Sequence, residues 1–265
     1  MATNQYQAIK YTTNNSDKVD DNLTVEEALQ ININEKPFSI TMRTPNDDDS
    51  LIRGLLYSED IYRGSDNLTI EYSKNEDNSI TEANIIIDET QLKKGYSNSR
   101  NFLSASSCGI CGKTELEDID TSCTIDDDSK LKISVLHKMF DSMKNKQDTF
   151  QLSGGSHAAA AFSLNGDLLC VMEDIGRHNA VDKVIGHLIN TNTLNQAKVI
   201  TVSGRISYEI VSKAFAAKIP FLTAVSAPSS LAVDFAKELG ITLLGFCREN
   251  KATCYAHTNR ISVTN

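Results

Sequence analysis

Residues 197–247 read AKVITVSGRISYEIVSKAFAAKIPFLTAVSAPSSLAVDFAKELGITLLGFC, and this stretch decides the fold. Three short apolar runs rich in β-branched and aromatic residues, AKVITVS, FLTAVS and ITLLGFC, predict β-strands. The two segments between them, SYEIVSKAFAAK and SSLAVDFAKEL, repeat apolar residues at helical spacing and predict helices. Alternating strands and helices predict right-handed crossovers and a sheet with parallel strands whose faces are covered by helices.

The same alternation begins further upstream, after about residue 149. The segments AAAAFSL and DLLCVME flank Asn165-Gly166, a dipeptide typical of hairpin turns, and a helix is predicted at about 177–190. The first quarter of the chain differs, because it contains the strand-like segments FSITMR, LTIEYS and ANIIID and one predicted helix at 47–60. The chain therefore combines a β-rich part with an α/β part.

These patterns divide the chain into three predicted parts. Residues 1–23 are polar and are expected to be disordered. Residues 24–130 are expected to form a small β-rich subdomain that ends in an irregular, cysteine-containing segment. Residues 131–265 are expected to form an α/β core domain.

Composition excludes several classes of function. The formal net charge of −9 argues against a general nucleic-acid or anionic-membrane surface, because both need a basic footprint. The first 24 residues contain no apolar core of signal-peptide length, and no later stretch reaches the roughly 18 apolar residues that span a bilayer. Six cysteines are too few for a disulfide scaffold in 265 residues. We therefore expect a cytoplasmic protein.

The segment SSCGICGK, residues 106–113, contains a C-x-x-C pair whose chemistry has three readings. Structural zinc would need four ligands, and the nearest additions, Cys123 and His137, give an irregular spacing, so no structural zinc is expected. Disulfide cycling usually requires a pair where a strand enters a helix, whereas glycines and serines here favour a loop. A sulfur-carrying thiol needs a reactive, exposed thiolate and often a second thiol. The spacing alone leaves these readings open, together with an incidental pair.

Three further motifs lie at predicted strand ends, where open α/β sheets bind ligands: SGGSH (153–157), EDIGRHNAVDK (173–183) and SGRIS (203–207). The N–H groups of Gly154 and Gly155, with Arg205 and a helix beginning near Ser207, are expected to form an anion-binding concavity. Asp174 is a plausible helix cap, and Arg177, His178 and Lys183 could face the cleft or be solvated first-turn charges. FCRENKATCYAH (246–257) predicts two strands joined by a turn that carries two cations.

Taken in order, six motifs resemble the formate dehydrogenase accessory protein family, FdhD/NarQ: SSCGICGK, SGGSHAA, EDIGRHNAVDK, SGRISYE, VSAPSSLAV and LGFCR. MRTPNDDDSLIRGLLYSED is similar to the family's N-terminal segment, so the resemblance covers roughly residues 24–257. It implies a sulfurtransferase that takes persulfide sulfur from a cysteine desulfurase. The sulfur is then delivered to the molybdenum or tungsten bis-molybdopterin guanine dinucleotide cofactor of formate dehydrogenase. The resemblance also implies a homodimer.

The same resemblance implies site residues. Cys108 would carry the persulfide beside Cys111, and GDP would be a partial mimic of the cofactor. The residues expected to contact the cofactor are Phe246, Cys247, Arg248, Glu249, Asn250 and Lys251, joined at the strand ends by Gly154, Gly155, His157, Ser203 and Arg205. Arg248 and Lys251 suit a diphosphate because both are cationic. A non-catalytic chaperone that binds the cofactor and docks it into the dehydrogenase is the alternative.

The family's core resembles the cytidine deaminase fold, so the expected fold class is α/β (α+β), with a three-layer core and a smaller β-rich subdomain. Zinc deaminases carry H-x-E and P-C-x-x-C motifs. The nearest counterparts are His157-Ala158-Ala159 and Pro228-Ser229-Ser230-Leu231, which lack the glutamate and the thiolates. Deamination is therefore excluded. Ser153 replaces the family's usual threonine, and Asn34-Glu35 stands where Asn-Gly is common, and neither change touches a proposed role.

Overall fold

The computed structural model describes residues 2–64, 66–99 and 124–263. Cys108, Cys111 and Cys123 lie outside the described residues, and so does the expected loop around them. Among the helices that are described, none is long and apolar enough to cross a membrane.

The N-terminus forms a β-hairpin in place of the disorder expected for residues 1–23. Strands β1 (Thr3–Tyr11) and β2 (Ser16–Thr24) pair antiparallel along their whole length. The turn is closed by Thr12 and Asn15, because the Thr12 N–H donates to the Asn15 carbonyl at 2.8 Å and the Asn15 N–H donates to Thr12 Oγ1 at 3.1 Å. A polar composition therefore did not prevent strand pairing, since these turn contacts and the alternating tyrosine, isoleucine and valine side chains favour it.

The β-rich subdomain contains a four-stranded sheet in the order β4-β3-β6-β5. Its strands are β3 (Glu27–Ile33), β4 (Lys36–Arg43), β5 (Thr69–Lys74) and β6 (Ile80–Ile86). Asn34 and Glu35, with φ of 50° and 64°, make the tight turn between β3 and β4. Helix α1 (Asp48–Ser58) packs its apolar side on this sheet.

The core contains a six-stranded sheet in the order β13-β12-β11-β10-β8-β9. Strands β10 (Val199–Val202), β11 (Phe221–Ala224) and β12 (Thr242–Arg248) are parallel, as the opening stretch predicts. The other three strands, which pair antiparallel with their neighbours, are β8 (His157–Phe162), β9 (Leu168–Asp174) and β13 (Lys251–Ala256).

Helices cover both faces of the core sheet. The apolar sides of α5 (Arg177–Asn190), α6 (Tyr208–Ala216) and α7 (Ser230–Leu239) bury Ile200 and Leu222 on one face. Helix α3 (Ile133–Lys144) buries the other face. The three-layer α/β core is therefore confirmed. The remaining elements are α2 (Lys94–Ser99), α4 (Asp148–Ser153), the parallel pair β7 (Leu131–Lys132) and β14 (Ile261–Ser262), and the 3-10 turns Glu89–Gln91, Leu194–Gln196 and Thr258–Arg260.

The β-rich subdomain and the core meet along a seam between α1 and α5. Gly54 and Gly186 let the two helices touch through their backbones, because a Cβ at either glycine would lie 1.8 Å from a carbonyl oxygen of the facing helix. Lys213 of α6 borders this seam, because its Nζ lies 2.8 Å from Asp182 Oδ1 on α5 and 3.6 Å from Glu59 Oε1 at the end of α1. Close packing of this kind makes the relative position of α1 and α5 specific.

Candidate functional site

Most of the residues that we expected to bind a ligand lie at one end of the core sheet, where the parallel strands β10, β11 and β12 finish. We call this end the sheet edge. Strand β8 runs antiparallel to β10, so β8 begins where β10 ends. The Ser203 N–H donates to the Ala158 carbonyl at 2.9 Å, and the Ala158 N–H donates to Ser203 Oγ at the same distance. Gly204 lies against His157, because a Cβ there would be 3.3 Å from His157 Nδ1. His157, Ser203 and Arg205 are thus brought together.

The imidazole of His157 lies between cationic neighbours. Burial lowers its pKa below the ordinary value, and the nearby guanidinium groups of Arg177 and Arg205 lower it further. The side chain is half-buried, so part of the imidazole remains accessible to solvent. His157 is therefore neutral at neutral pH, and the positive charge at this edge comes from the two arginines.

Arg177 is a site residue that the sequence left undecided between the cleft and solvent. It is the first residue of α5, and its buried Nε atom has no hydrogen-bond partner in the part of the chain that the structure describes. Within residues 2–64, 66–99 and 124–263, neither Arg177 nor the exposed Arg205 forms a salt bridge. Two guanidinium groups beside one neutral imidazole form a site suited to an anion, since arginine binds phosphate and carboxylate through paired N–H donors.

Asp174 positions Arg177 without capping the helix as expected. The helix cap is Gly176, and the buried Asp174 carboxylate receives several donors at once. Its Oδ1 accepts from the Gly176 N–H at 2.8 Å, and its Oδ2 accepts from the Thr44 N–H at 3.1 Å and lies 2.9 Å from Lys183 Nζ. The turn before Arg177 is thereby held between the core and the subdomain.

His178 and Lys183 have contacts that separate them from Arg177. Lys183 is 1% exposed and is paired with Asp174, so its charge is internal to the fold. His178 Nε2 lies 3.1 Å from Ser207 Oγ and 3.8 Å from Glu209 Oε2, at the start of α6. Of the three charged side chains considered from this motif, Arg177 is the one placed beside His157.

The predicted segment Phe246–Lys251 ends β12 and begins β13. Glu249 and Asn250 form its turn, with φ of 53° and 59°. The N–H of Phe246 donates to the Ser226 carbonyl at 3.1 Å, which ties the segment to the end of β11. Phe246 is 41% exposed, and Arg248 and Lys251 are also exposed. The aromatic ring and both cations are therefore available on the same edge that carries Ser203–Arg205.

Cys247 differs from its neighbours in this segment. Its side chain is 2% exposed and packs in the cluster beneath α3, and burial raises the pKa of its thiol to about 12. A β-bulge explains the difference. The register of β12 shifts between Gly245 and Arg248, and Phe246 has φ of 53°, so Cys247 shares the α3 face with Leu244 although the two are three residues apart. Only the backbone of Cys247 can therefore face a ligand.

Gly154 and Gly155 precede β8 at the same edge, but their amides are already used. Gly154 ends α4 with φ of 66°, and its N–H donates to the Phe150 carbonyl at 2.7 Å. The Gly155 N–H donates to Ser153 Oγ at 3.2 Å. In this geometry the two amides do not form the anion-binding concavity expected from the sequence, because neither points to open space without a partner.

A metal-binding cluster could be sought only among the residues that the structure describes. In the ranges that the structure covers, no three histidine, cysteine or acidic side chains converge in a way that could hold a metal ion. His137 lies on α3, while the three cysteines considered with it lie outside the described residues.

Comparison with known proteins identifies the family. The FdhD/NarQ family model matches residues 24–262. The chain is 43% identical over 246 residues to the sulfur carrier protein FdhD of Sulfolobus acidocaldarius, covering 92% of each chain. It is 40% identical over 252 residues to the sulfur carrier protein FdhD of Mycobacterium tuberculosis, covering 91% of each.

A crystal structure gives the matching fold. The structure of a protein assigned as a formate dehydrogenase accessory protein, from Desulfotalea psychrophila, superposes with a TM-score of 0.77 at 18% identity. The match covers 99% of this chain and 100% of that one. On the strength of the family match across almost all of its length, this chain belongs to the FdhD/NarQ family.

Proposed function

We propose that this protein is a cytoplasmic sulfurtransferase that serves formate dehydrogenase. It accepts persulfide sulfur from a cysteine desulfurase on Cys108 and transfers it to the molybdenum or tungsten bis-molybdopterin guanine dinucleotide cofactor. The observation that carries the proposal is the sheet edge, where Arg177 and Arg205 lie near His157 and the Phe246–Lys251 turn ends β12. This edge offers a nucleotide an exposed aromatic ring and two arginines that form no salt bridge among the described residues. The names of the similar proteins, sulfur carrier protein FdhD, support the sulfur chemistry.

Loading is a thiol–persulfide exchange. The Cys108 thiolate attacks the outer sulfur of the desulfurase persulfide, the sulfur–sulfur bond breaks, and the desulfurase cysteine leaves as a thiolate. Cys108 then carries the extra sulfur as a persulfide, and no net oxidation or reduction has occurred. The net positive charge of Lys113, five residues along the sequence, favours the thiolate form that this step needs.

Delivery uses the second thiol. The Cys111 thiolate attacks the Cys108 sulfur, a disulfide forms between the two cysteines, and the outer sulfur leaves as hydrosulfide with the electron pair of the broken bond. The cofactor is the substrate of this step, and the hydrosulfide would enter the coordination of its metal in exchange for a ligand that leaves to solvent. A dithiol reductant returns the disulfide to two thiols, so each turnover consumes one dithiol. Such reductants are maintained in the cytoplasm.

The sheet edge holds the nucleotide part of the cofactor while sulfur is delivered. Arg177 and Arg205 bind phosphate oxygens through charge-assisted hydrogen bonds, and Arg248 and Lys251 add charge on the far side. The exposed ring of Phe246 supplies a face on which a guanine base can stack. His157, being neutral, donates or accepts one hydrogen bond without adding charge.

The mass of the intact protein tests the sulfur chemistry. After incubation with a cysteine desulfurase and cysteine, the mass should rise by one or more sulfur atoms and return on treatment with dithiothreitol. Cys108→Ala should gain no sulfur, whereas Cys111→Ala should load normally and retain its sulfur. If Cys111→Ala fails to load while Cys108→Ala succeeds, the bearer is Cys111, and if neither variant changes loading the sulfurtransferase proposal fails.

The cofactor chaperone is the second candidate, because the cationic edge lies in residues that do not include the C-x-x-C pair. The discriminating assay is formate dehydrogenase activity in a strain that lacks its own accessory protein. A sulfurtransferase predicts no activity with Cys108→Ala, although that variant still binds GDP. Full activity with Cys108→Ala would favour the chaperone.

A further inference from the structure

Three side chains at the start of α6 form a cluster that the proposed function does not use. Ser207 Oγ lies 3.1 Å from Nε2 of His178, and Oε2 of Glu209 lies 3.8 Å from the same nitrogen. The histidine is 6% exposed, and the serine is half-buried. A serine, a histidine and a carboxylate in one cluster are the groups from which hydrolases build a serine nucleophile, so that reading has to be tested first.

The geometry of the cluster does not fit a catalytic triad. In a triad the serine is hydrogen-bonded to one imidazole nitrogen and the carboxylate to the other, which leaves the first nitrogen able to take the serine proton. Here Ser207 and Glu209 both approach Nε2 of His178. The carboxylate therefore competes with the serine for one nitrogen, and the cluster must have another use than making Ser207 a nucleophile.

Glu209 determines which atom of the histidine carries a proton. A carboxylate oxygen at 3.8 Å is too distant for a strong hydrogen bond, but it repels a lone pair on Nε2 and attracts a proton there. With the proton on Nε2, His178 donates to Ser207 Oγ, so the hydroxyl oxygen accepts. The hydroxyl proton of Ser207 is then available to an acceptor outside the cluster.

Ser207 also lacks the usual role of a serine at its position. It precedes α6 as the N-terminal cap, yet among the described residues its side chain accepts no hydrogen bond from the N–H groups of that helix. Ser229 shows the ordinary arrangement at the start of α7, where its Oγ accepts from the Ala232 N–H at 3.2 Å. The hydroxyl of Ser207 is therefore oriented by His178 and not by the helix that it begins.

The cluster lies beside both arginines of the sheet edge. His178 directly follows Arg177 at the start of α5, and Ser207 comes two residues after Arg205. The loop and the helix start are in contact, because a Cβ on Gly204 would lie 3.6 Å from the Cβ of Arg177. An anion held by the two arginines is thus the acceptor for which the hydroxyl is placed.

We propose that the Ser207 hydroxyl donates a hydrogen bond to a phosphate oxygen of the bound nucleotide. His178 and Glu209 are positioning residues that keep the hydroxyl a donor. This inference rests on the proposed function, because the phosphate belongs to the nucleotide part of the cofactor. Ionised phosphate oxygens only accept hydrogen bonds, so a hydroxyl fixed as a donor matches phosphate and discriminates against a ligand group that itself donates.

Calorimetry with GDP tests the contact. Ser207→Ala should raise the GDP dissociation constant about ten-fold or more, because a hydrogen bond to a charged group is lost. Ser212→Ala is the matched control, since Ser212 is half-buried on the same helix and its hydroxyl donates to the Tyr208 carbonyl at 3.0 Å. The control should bind GDP as the unmodified protein does. Equal GDP affinity in the two variants would overturn the proposal.

Glu209→Gln separates the proposal from simple electrostatics by the sign of its effect. Removing a negative charge near an anion site ordinarily strengthens anion binding. Here the same change should weaken GDP binding about three-fold or more, because Nε2 of His178 can then lose its proton and accept the one that Ser207 would have given to the phosphate. Tighter GDP binding by Glu209→Gln would show that Glu209 does not position the hydroxyl.

The role of His178 is tested through Ser207. His178→Gln retains an N–H donor and should keep the GDP dissociation constant within about three-fold, whereas His178→Leu should weaken binding as much as Ser207→Ala does. In the Ser207→Ala background, His178→Leu should have no further effect, because the histidine acts through the hydroxyl. Additive losses in the double variant would mean that His178 acts independently of Ser207, which contradicts its positioning role.

Arg177→Ala distinguishes failure of this inference from failure of the proposed function. If that variant binds GDP more weakly while Ser207→Ala binds it normally, the nucleotide site stands and the serine contact is wrong. If neither variant changes GDP affinity, the sheet edge does not hold the nucleotide, and both the site in the proposed function and the inference are wrong.

Discussion

The α1–α5 seam and the sheet edge both contain buried or half-buried charged side chains. Those beside the seam are paired with a group of opposite charge, whereas those at the edge are not paired among the described residues. On the core side of the seam, Lys213 is paired with Asp182 at 2.8 Å and Lys183 with Asp174 at 2.9 Å. At the edge, the buried Nε of Arg177 has no hydrogen-bond partner among the described residues, and Arg177 and Arg205 both lie close enough to His157 to lower its pKa. Paired charges complete the fold, whereas unpaired like charges leave a place for an anion.

This difference separates two kinds of residue that look alike in the sequence. Lys183 and Arg177 lie six residues apart in the same motif, and both could have faced the cleft. An uncompensated charge in a half-buried position costs free energy, and folds retain it where a ligand provides the compensation. Mutations in the seam should therefore lower stability, and mutations at the edge should lower affinity for an anion.

The largest effect is expected in the seam, from Lys213→Met. Removing the ammonium group leaves the Asp182 carboxylate buried without its main partner, which should lower the free energy of unfolding by about 3–5 kcal/mol. Lys198→Met is the control, because Lys198 Nζ lies at a similar 2.9 Å from Asp127 but is 38% exposed. That substitution should cost less than about 1 kcal/mol. If urea denaturation shows the same loss of unfolding free energy for Lys213→Met and Lys198→Met, burial of the ion pair does not determine its contribution.

The glycine contact of the seam gives the next effect. An alanine in a helix interior is ordinarily more stable than a glycine, but Gly186→Ala would place a Cβ 1.8 Å from the Ser50 carbonyl oxygen. We expect a loss of about 2–3 kcal/mol, because α1 and α5 must separate. Asn190→Ala, at the exposed end of α5, should stay within about 0.5 kcal/mol. Thermal or urea unfolding that ranks the two variants in reverse order would show that the helices are not in close contact.

The edge should respond in affinity. Arg177→Ala is expected to weaken GDP binding by ten-fold or more, since a hydrogen bond to a charged group contributes about 1.5–3 kcal/mol. Its unfolding free energy should change little, because Arg177 Nε has no hydrogen-bond partner to lose among the described residues. Arg63→Ala is the matched control, as Arg63 is 38% exposed and paired with Asp60 away from this edge. If calorimetry gives the same GDP dissociation constant for Arg177→Ala and Arg63→Ala, Arg177 does not belong to the binding site.

The smallest effect concerns pH. Because the folded-state pKa of His157 lies below the ordinary value of 6.5, the unfolded chain takes up a proton that the folded chain refuses. The free energy of unfolding should therefore fall as pH drops below about 6.5, with no His157 contribution at higher pH. His157→Asn should remove this component. The measurement is urea denaturation of both proteins across pH 5 to 8, and a constant difference over that range would argue against a lowered pKa.

The parts of the fold that local patterns could predict are those whose periodicity lies within one segment. The residues 197–247 show strands and helices directly, because each element's buried side repeats at its own spacing. The hairpin at 3–24 was missed because its strands are mostly polar and its support comes from α4. The contact of Gly54 with α5 was also invisible, since its partner lies far along the chain.

The site was predictable to the extent that strand ends converge. Ser203, Arg205 and the Phe246–Lys251 turn follow from the parallel order of β10, β11 and β12. Arg177 could not be assigned, because its place beside His157 depends on β8 pairing antiparallel with β10. The N–H groups of Gly154 and Gly155 already donate hydrogen bonds within the chain. This depends on how α4 ends, which no single residue type determines.

Asp174 also limits how this protein can move. Its carboxylate joins Thr44 of the β-rich subdomain to the turn before Arg177, and the ammonium of Lys183 donates to the Thr44 carbonyl at 2.9 Å as well. A hinge at this point would have to expose a buried ion pair each time it opened, so the subdomain cannot act as a lid over the sheet edge. The nucleotide proposed above would therefore have to enter the edge in its resting shape, and any closure around it would have to come from a partner protein.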